Sequence, residues 1–168
     1  MTDTTNAQDS TSFAKLNLKI LQEAISLPKM KVISGSDELK VLRTNEINIR
    51  AIRDFIKEYK NVSEARWYIS GNGFLAVYFT NADITTRRYY NKKGVYEYMI
   101  RYYNEIKLPR NIRHLIKTQY YDFDIFQITE FSRKGKIAYL TKIHDKDHWK
   151  TIVIVENEME VVDEYPKR

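Results

Sequence analysis

Two stretches repeat apolar residues at helical spacing, and the rest of the second half alternates. After Asn45, Ile49, Ile52, Phe55, Ile56 and Tyr59 fall on one helical stripe, with Asn45 placed to cap it. After Leu108 the chain repeats the device. Pro109 suits a first helical turn, and Ile112, Leu115, Ile116 and Tyr120 form the stripe. Each helix is followed by short runs of strand type: ARWYIS, FLAVYFT, ITTRRYY and VYEYMIRYY after the first, then DIFQITEF, KIAYLTKI, WKTIVIV and MEVVDEY after the second. The two helices share Ile, Arg, Ile, Lys and a closing Tyr, at a spacing of roughly sixty residues, a sensible length for a duplicated unit.

This pattern predicts an α+β fold, a tandem repeat of one helix plus a four-stranded antiparallel sheet. The first unit covers 46–107 and the second 108–168, and 46–168 together form one compact body. Upstream, residues 1–12 read as a polar leader and 13–45 as an extension. Within the extension, Phe13 to Leu27 predicts an additional helix that Pro28 ends. The turns carry matching chemistry: Gly71 and Gly73 between two strands, Gly94 closing NKKG, Gly135 closing SRKG, and Asn157 standing where the last turn lacks glycine.

Composition narrows the function classes. The 168 residues contain no cysteine, so disulfides, thiolate metal sites and cysteine nucleophiles are excluded. The longest apolar runs, FLAVYF and IVIV, are too short for a membrane helix. Thirteen tyrosines and seven phenylalanines fit a strand-rich chain. Net charge is +6, and between Thr86 and Tyr120 nine Lys/Arg face two acids. That segment interleaves Arg87, Arg88 and Arg101 with Tyr89, Tyr90, Tyr96, Tyr98, Tyr102 and Tyr103, which suits base stacking on single-stranded nucleic acid. GNGFLAVYFT resembles an RNA-recognition strand only loosely. Asn72 stands in the basic position, Leu75 in the small one and Ala76 in an aromatic one, so a hairpin strand is the better reading.

No catalytic pattern emerges. HDKDH, from His144 to His148, holds two imidazoles and two carboxylates, but in a hairpin turn the two rings need not converge on a metal. Asp122 and Asp124 lack a partner group, and His114 sits among charges on the second helix. Neither enzyme activity nor a cofactor or metal is assigned.

Four stretches carry a family resemblance: FIKEYKNVSEARW, YYNKKGVYEY, LPRNIRHLIKTQYYDFDI and VENEMEVVDEY. In this order and spacing, over Ile47 to Lys167, the chain resembles the PepSY-like, β-lactamase-inhibitor-like proteins exported by bacteria of the Bacteroidetes type. The resemblance implies a periplasmic or secreted protein whose signal peptide has been removed, and a binding role through open sheet faces. Strand alternation then selects the residues that meet a protein or peptide partner. With Trp67, Ile69, Leu75, Val77 and Phe79 against the helix, the outward set is Tyr68, Tyr78, Arg87 and Tyr89, joined by Gln127, Tyr139 and Thr141. The alternative is nucleic-acid binding by the basic, tyrosine-rich segment 86–120.

Overall fold

A computed structural model describes residues 39–62, 64–71 and 73–167. The helix expected over Phe13–Leu27 lies outside the described residues. The expected α+β tandem of helix plus four-stranded sheet is corrected. A single antiparallel sheet of nine strands runs in sequence order from β1 to β9. The strands are β1 (Leu39–Val41), β2 (Arg66–Ser70), β3 (Leu75–Asn81), β4 (Ile84–Tyr90), β5 (Tyr96–Tyr103), β6 (Asp124–Arg133), β7 (Lys136–His144), β8 (His148–Val155) and β9 (Glu158–Pro166). Two ten-residue helices, α1 (Ile49–Glu58) and α2 (Arg110–Gln119), are set against it.

The seam that unites the sheet is β5 with β6, where Met99 to Tyr103 pair with Ser132 to Ile128. Two separate sheets would leave two more open edges at this point. A buried cluster holds the seam on the helix side. Arg101 Nε donates to Glu130 Oε1 at 3.0 Å, Arg101 Nη2 bonds the same oxygen, and the Tyr103 hydroxyl donates to Glu130 Oε2 at 2.6 Å. Burial, reinforced by the Glu130 carboxylate, keeps the Tyr103 hydroxyl protonated far above the usual tyrosine range. The outer edges are protected differently. At one edge β1 has only three residues, and at the other β9 carries Glu158, Glu160, Asp163, Glu164 and a terminal Pro166.

Each helix buries a narrow stripe. The stripe of α1 is Ala51 and Phe55, which pack on Trp67, Leu75, Val77, Phe79 and Tyr90. Ile49 and Ile56, placed in the stripe by periodicity, are exposed. Its cap is Asn48 rather than Asn45: the Asn48 side chain accepts from Arg50 N at 2.9 Å. Arg88 on β4 ties the helix down. Its Nη2 donates to Asp54 Oδ2 at 2.8 Å and its Nε to the Tyr90 hydroxyl at 2.9 Å, while its guanidinium lies 4.0 Å from the Tyr96 ring centroid. In α2, Ile112 and Ile116 are buried among Leu108, Phe123, Ile125, Ile128, Tyr139, Ile143, Ile152 and Ile154.

The hairpin turns are tight because their central residues accept positive φ. Ala82 and Asp83, Lys134 and Gly135, and Glu156 and Asn157 all do so, the pattern of the turn whose twist matches the flanking strands. Gly94 does a second job. With φ +70°, a Cβ there would lie 2.5 Å from Asn48 Oδ1 and 3.0 Å from Ala51 N, so the β4–β5 turn abuts the capped end of α1. Gly135 has φ +79° and open space. Both substitutions to alanine incur the left-handed cost of about 1–2 kcal/mol, and only Gly94→Ala also displaces a cap, worth about 1 kcal/mol. Urea denaturation should rank Gly94→Ala below Gly135→Ala by that cap; equal midpoints would mean that the turn and the cap do not interact.

Candidate partner-recognition face

The strands are apolar on both sides, and only one side receives α1 and α2. The other side carries Ala76, Tyr89, Tyr98, Ile100, Phe131, Ala138, Leu140 and Val153 as a buried cluster. Tyr68, Tyr78, Tyr102, Phe74, Leu39, Val155 and Val162 pack around it, half-buried. An aromatic ladder crosses this face from β2 to β6. Ring centroids are 4.7 Å apart for Tyr68–Tyr78, 6.4 Å for Tyr78–Tyr89, 4.3 Å for Tyr89–Tyr98 and 5.5 Å for Tyr98–Phe131, the last two stacked. The ladder follows from register, since Ala76 pairs with both Tyr68 and Tyr89, and Tyr89 pairs with Tyr98. Rings on neighbouring strands therefore project side by side. Burial, with the Tyr98 and Tyr78 hydroxyls beside it, pushes ionisation of Tyr89 well above the ordinary range.

Arg87 stacks among the rings of this face. Its guanidinium carbon lies 5.0 Å from the Tyr78 ring centroid and 5.2 Å from that of Tyr102. Planar stacking of this type leaves the guanidinium edges able to donate outward.

A second aromatic group stands at the far end of the same face. β5 leaves the sheet after Tyr103, while β6 continues back to Asp124 with only β7 beside it, and a bulge falls between Ile125 and Gln127. The bulge turns Phe126 onto this face, where its ring meets Trp149 at 5.3 Å and His144 at 6.3 Å. Phe126 is 58% exposed. Between it and the end of β5 lies a shallow apolar groove of about 380 Å³, lined by Tyr102, Tyr103, Asn104, Phe126 and Gln127.

The structure therefore gathers Tyr68, Tyr78, Arg87, Tyr89 and Gln127 on one face, although Tyr89 is itself buried at 4% exposure. Tyr139 and Thr141 lie on the opposite, helix-bearing face and are buried there. Alternation could not choose for β7, because Ala138 and Leu140 are as apolar as the residues they alternate with. Sequence reasoning missed Tyr102, Phe126 and Trp149. The bulge that brings Phe126 across has no signal in DIFQITEF.

The remaining chemistry of the chain is dispersed. Arg88 and Arg101 are spent on Asp54 and Glu130 on the helix side. Arg113 pairs with Glu105, and the Lys117 ammonium bonds the Phe123 carbonyl. Lys92 and Lys93 sit in the β4–β5 turn. The basic segment thus forms no single strip, and of its arginines only Arg87 joins the aromatic face. In HDKDH, Asp145 is an intrahairpin cap. Its Oδ1 accepts from Asp147 N at 2.8 Å and His148 N at 2.6 Å, and the His148 amide is the main cause of its lowered pKa. The His144 ring packs on Trp149, with 4.5 Å between centroids. Among the described residues no three His, Asp or Glu side chains are gathered as a metal-binding group. No described helix is long and apolar enough to cross a membrane.

Among the described residues, sheet and face together define the class: an antiparallel β protein with two helices on one side of its sheet and an aromatic surface on the other. No protein-family model matches the chain, and no curated protein matches it. Solved structures share the fold. A BLIP-like protein from Bacteroides fragilis matches with TM-score 0.51 at 12% identity, covering 70% of this chain and 84% of its own. A DUF2874 family protein from Bacteroides ovatus gives 0.50 at 11%, over 70% and 85%. A candidate periplasmic protein from Bacteroides eggerthii gives 0.51 at 10%, over 70% and 86%. At these identities the likeness is one of architecture.

Proposed function

We propose that this chain is a non-catalytic binding module of the periplasm or cell envelope that holds a protein or peptide partner on the exposed band of its helix-free face. One observation carries the reading. Tyr78, Arg87 and Tyr102 form a stacked, half-exposed unit, and the groove beside Phe126 continues it toward Trp149. Tyrosine, tryptophan and arginine in a central cluster are the residue types that dominate protein interfaces. Similarity in fold to a BLIP-like protein and to a candidate periplasmic protein supports the compartment and the binding role. Nucleic-acid binding is the weaker reading because, of the arginines in the basic segment, only Arg87 joins this face, while Arg88, Arg101 and Arg113 pair with carboxylates.

The test is capture from an envelope extract of the native host. The Tyr78→Ala/Arg87→Ala variant should lose capture by roughly tenfold or more while keeping its unfolding free energy within about 1–2 kcal/mol of the parent. Undiminished capture would place the partner elsewhere. Binding of single-stranded oligonucleotides that weakens steeply with salt would favour the nucleic-acid reading instead.

A further inference from the structure

Lys167 folds back over the β7–β8 hairpin. Its backbone N–H donates to the Asp147 carbonyl at 2.7 Å. Its ammonium bridges two acceptors, His144 Nδ1 at 2.8 Å and the Asp145 carbonyl at 2.6 Å, and lies 5.2 Å from the Trp149 ring centroid. An ammonium has hydrogens to give and no lone pair to offer. His144 Nδ1 therefore accepts, and the ring is neutral with its one hydrogen on Nε2.

We propose that His144 and Lys167 form a proton-operated latch over Trp149. The neutral imidazole holds the Lys167 ammonium at the Trp149 ring, and a proton on Nδ1 releases it. Each state has its own hydrogen bond. Nδ1 stands 3.4 Å from the Asp145 carbonyl, the oxygen that the ammonium also uses. Once protonated, Nδ1 donates to that oxygen directly. The ammonium then loses the imidazole lone pair and faces a second cation across 2.8 Å. Histidine is the residue type whose charge changes between about pH 5 and 8.

The surroundings accept the second charge. Asp124 on β6 pairs with His144 in register, so its side chain stands on the same face and gives the imidazolium a carboxylate neighbour. Asp145 keeps its charge in both states, because the His148 and Asp147 amides hold its carboxylate. The His148 ring lies beyond it, with Nδ1 3.7 Å from Asp145 Oδ1. Lys142 stands two residues before His144 on β7, and Lys146 and Asp147 are exposed in the turn. On β8 and β9 the facing groups are the Trp149 indole and the Tyr165 paired with it. The Trp149 ring also meets Phe126, so release of Lys167 changes the aromatic end of the helix-free face. The inference does not depend on the partner reading, and its test contains no partner.

The test is an NMR titration of the whole chain from pH 8 to pH 5. Long-range nitrogen–proton correlations on the neutral His144 ring should place its hydrogen on Nε2. The Lys167 methylene protons next to the ammonium, shielded by the Trp149 ring at pH 8, should move to the position of a free lysine in step with His144 protonation. In His144→Gln, which still accepts a hydrogen bond but does not titrate, they should stay shielded throughout. In His148→Gln the movement should be unchanged. A neutral ring with its hydrogen on Nδ1 overturns the proposal, and so do Lys167 protons that stay put while His144 takes its proton. Movement that survives His144→Gln, or disappears in His148→Gln, would assign the effect to another group and also overturn it. If His144→Gln fails to fold, the tautomer, the joint titration and His148→Gln still decide.

Discussion

Arg101→Ala is expected to destabilise the protein by about 4 kcal/mol, and Glu130→Ala by about 2–3 kcal/mol, as measured by urea denaturation. The order follows from burial. The Glu130 side chain is 2% exposed and that of Arg101 is 34% exposed. Removing the arginine leaves a carboxylate in the sheet interior with only the Tyr103 hydroxyl, the costly half of breaking a buried pair. Removing the glutamate lets Arg101 turn toward water, and the main loss is the orphaned Tyr103 hydroxyl and the space left behind. The pair Arg101→Leu/Glu130→Leu should recover part of the Arg101→Ala deficit, since no charge is left buried and unpaired, while the Tyr103 hydroxyl still lacks its acceptor. The consequence reaches beyond local packing, because these side chains clamp β5 to β6. If Arg101→Ala proved no worse than Glu130→Ala, the seam would be held by backbone pairing and packing, and the ion pair would be incidental.

Phe55→Ala should cost about 3–5 kcal/mol, within the range for deleting a buried phenylalanine. Phe55 is the centre of the α1 contact. Its ring meets Tyr59 at 5.3 Å, Trp67 at 5.5 Å and Phe79 at 5.2 Å, the last two edge-on. The hydrophobic stripe of α1 is narrow, so little else holds it apart from the Asp54–Arg88 contact. A ten-residue helix is marginal without tertiary packing. The variant should therefore shift Trp67 emission to the red as water reaches the ring, before global unfolding. The measurement is made in a Trp149→Phe background so that one tryptophan reports. Unchanged emission with a stability loss of under about 1 kcal/mol would show that α1 is anchored by Arg88 rather than by Phe55.

Local chemistry made parts of this molecule legible. The two helices, the order of the eight strands after Asn45 and most turns follow from periodicity and turn residues. Gly94, Gly135 and Asn157 take the left-handed conformations their positions demand. Trp67, Leu75, Val77 and Phe79 face α1, because every second residue of those strands is large and apolar. The assembly was not legible. Separate sheets of four strands and one sheet of nine have the same local pattern. They differ only at β5 and β6, where Arg101, Tyr103 and Glu130 meet across 27 residues or more.

On the candidate face, the placement of Tyr68, Tyr78, Arg87 and Tyr89 was readable from alternation on β2 to β4, where one register serves three strands. Tyr139 and Thr141 were misplaced because β7 is apolar on both sides. Phe126 was invisible, since a bulge reverses alternation without a residue type that announces it. The sequence by itself determined which residues become helix, strand and turn, because those preferences act within a few neighbouring residues. The tertiary structure alone decided how many sheets form and which face each ring occupies. Strand pairing is a contest between distant backbones, and it is settled by which arrangement buries both apolar faces and leaves the fewest open edges.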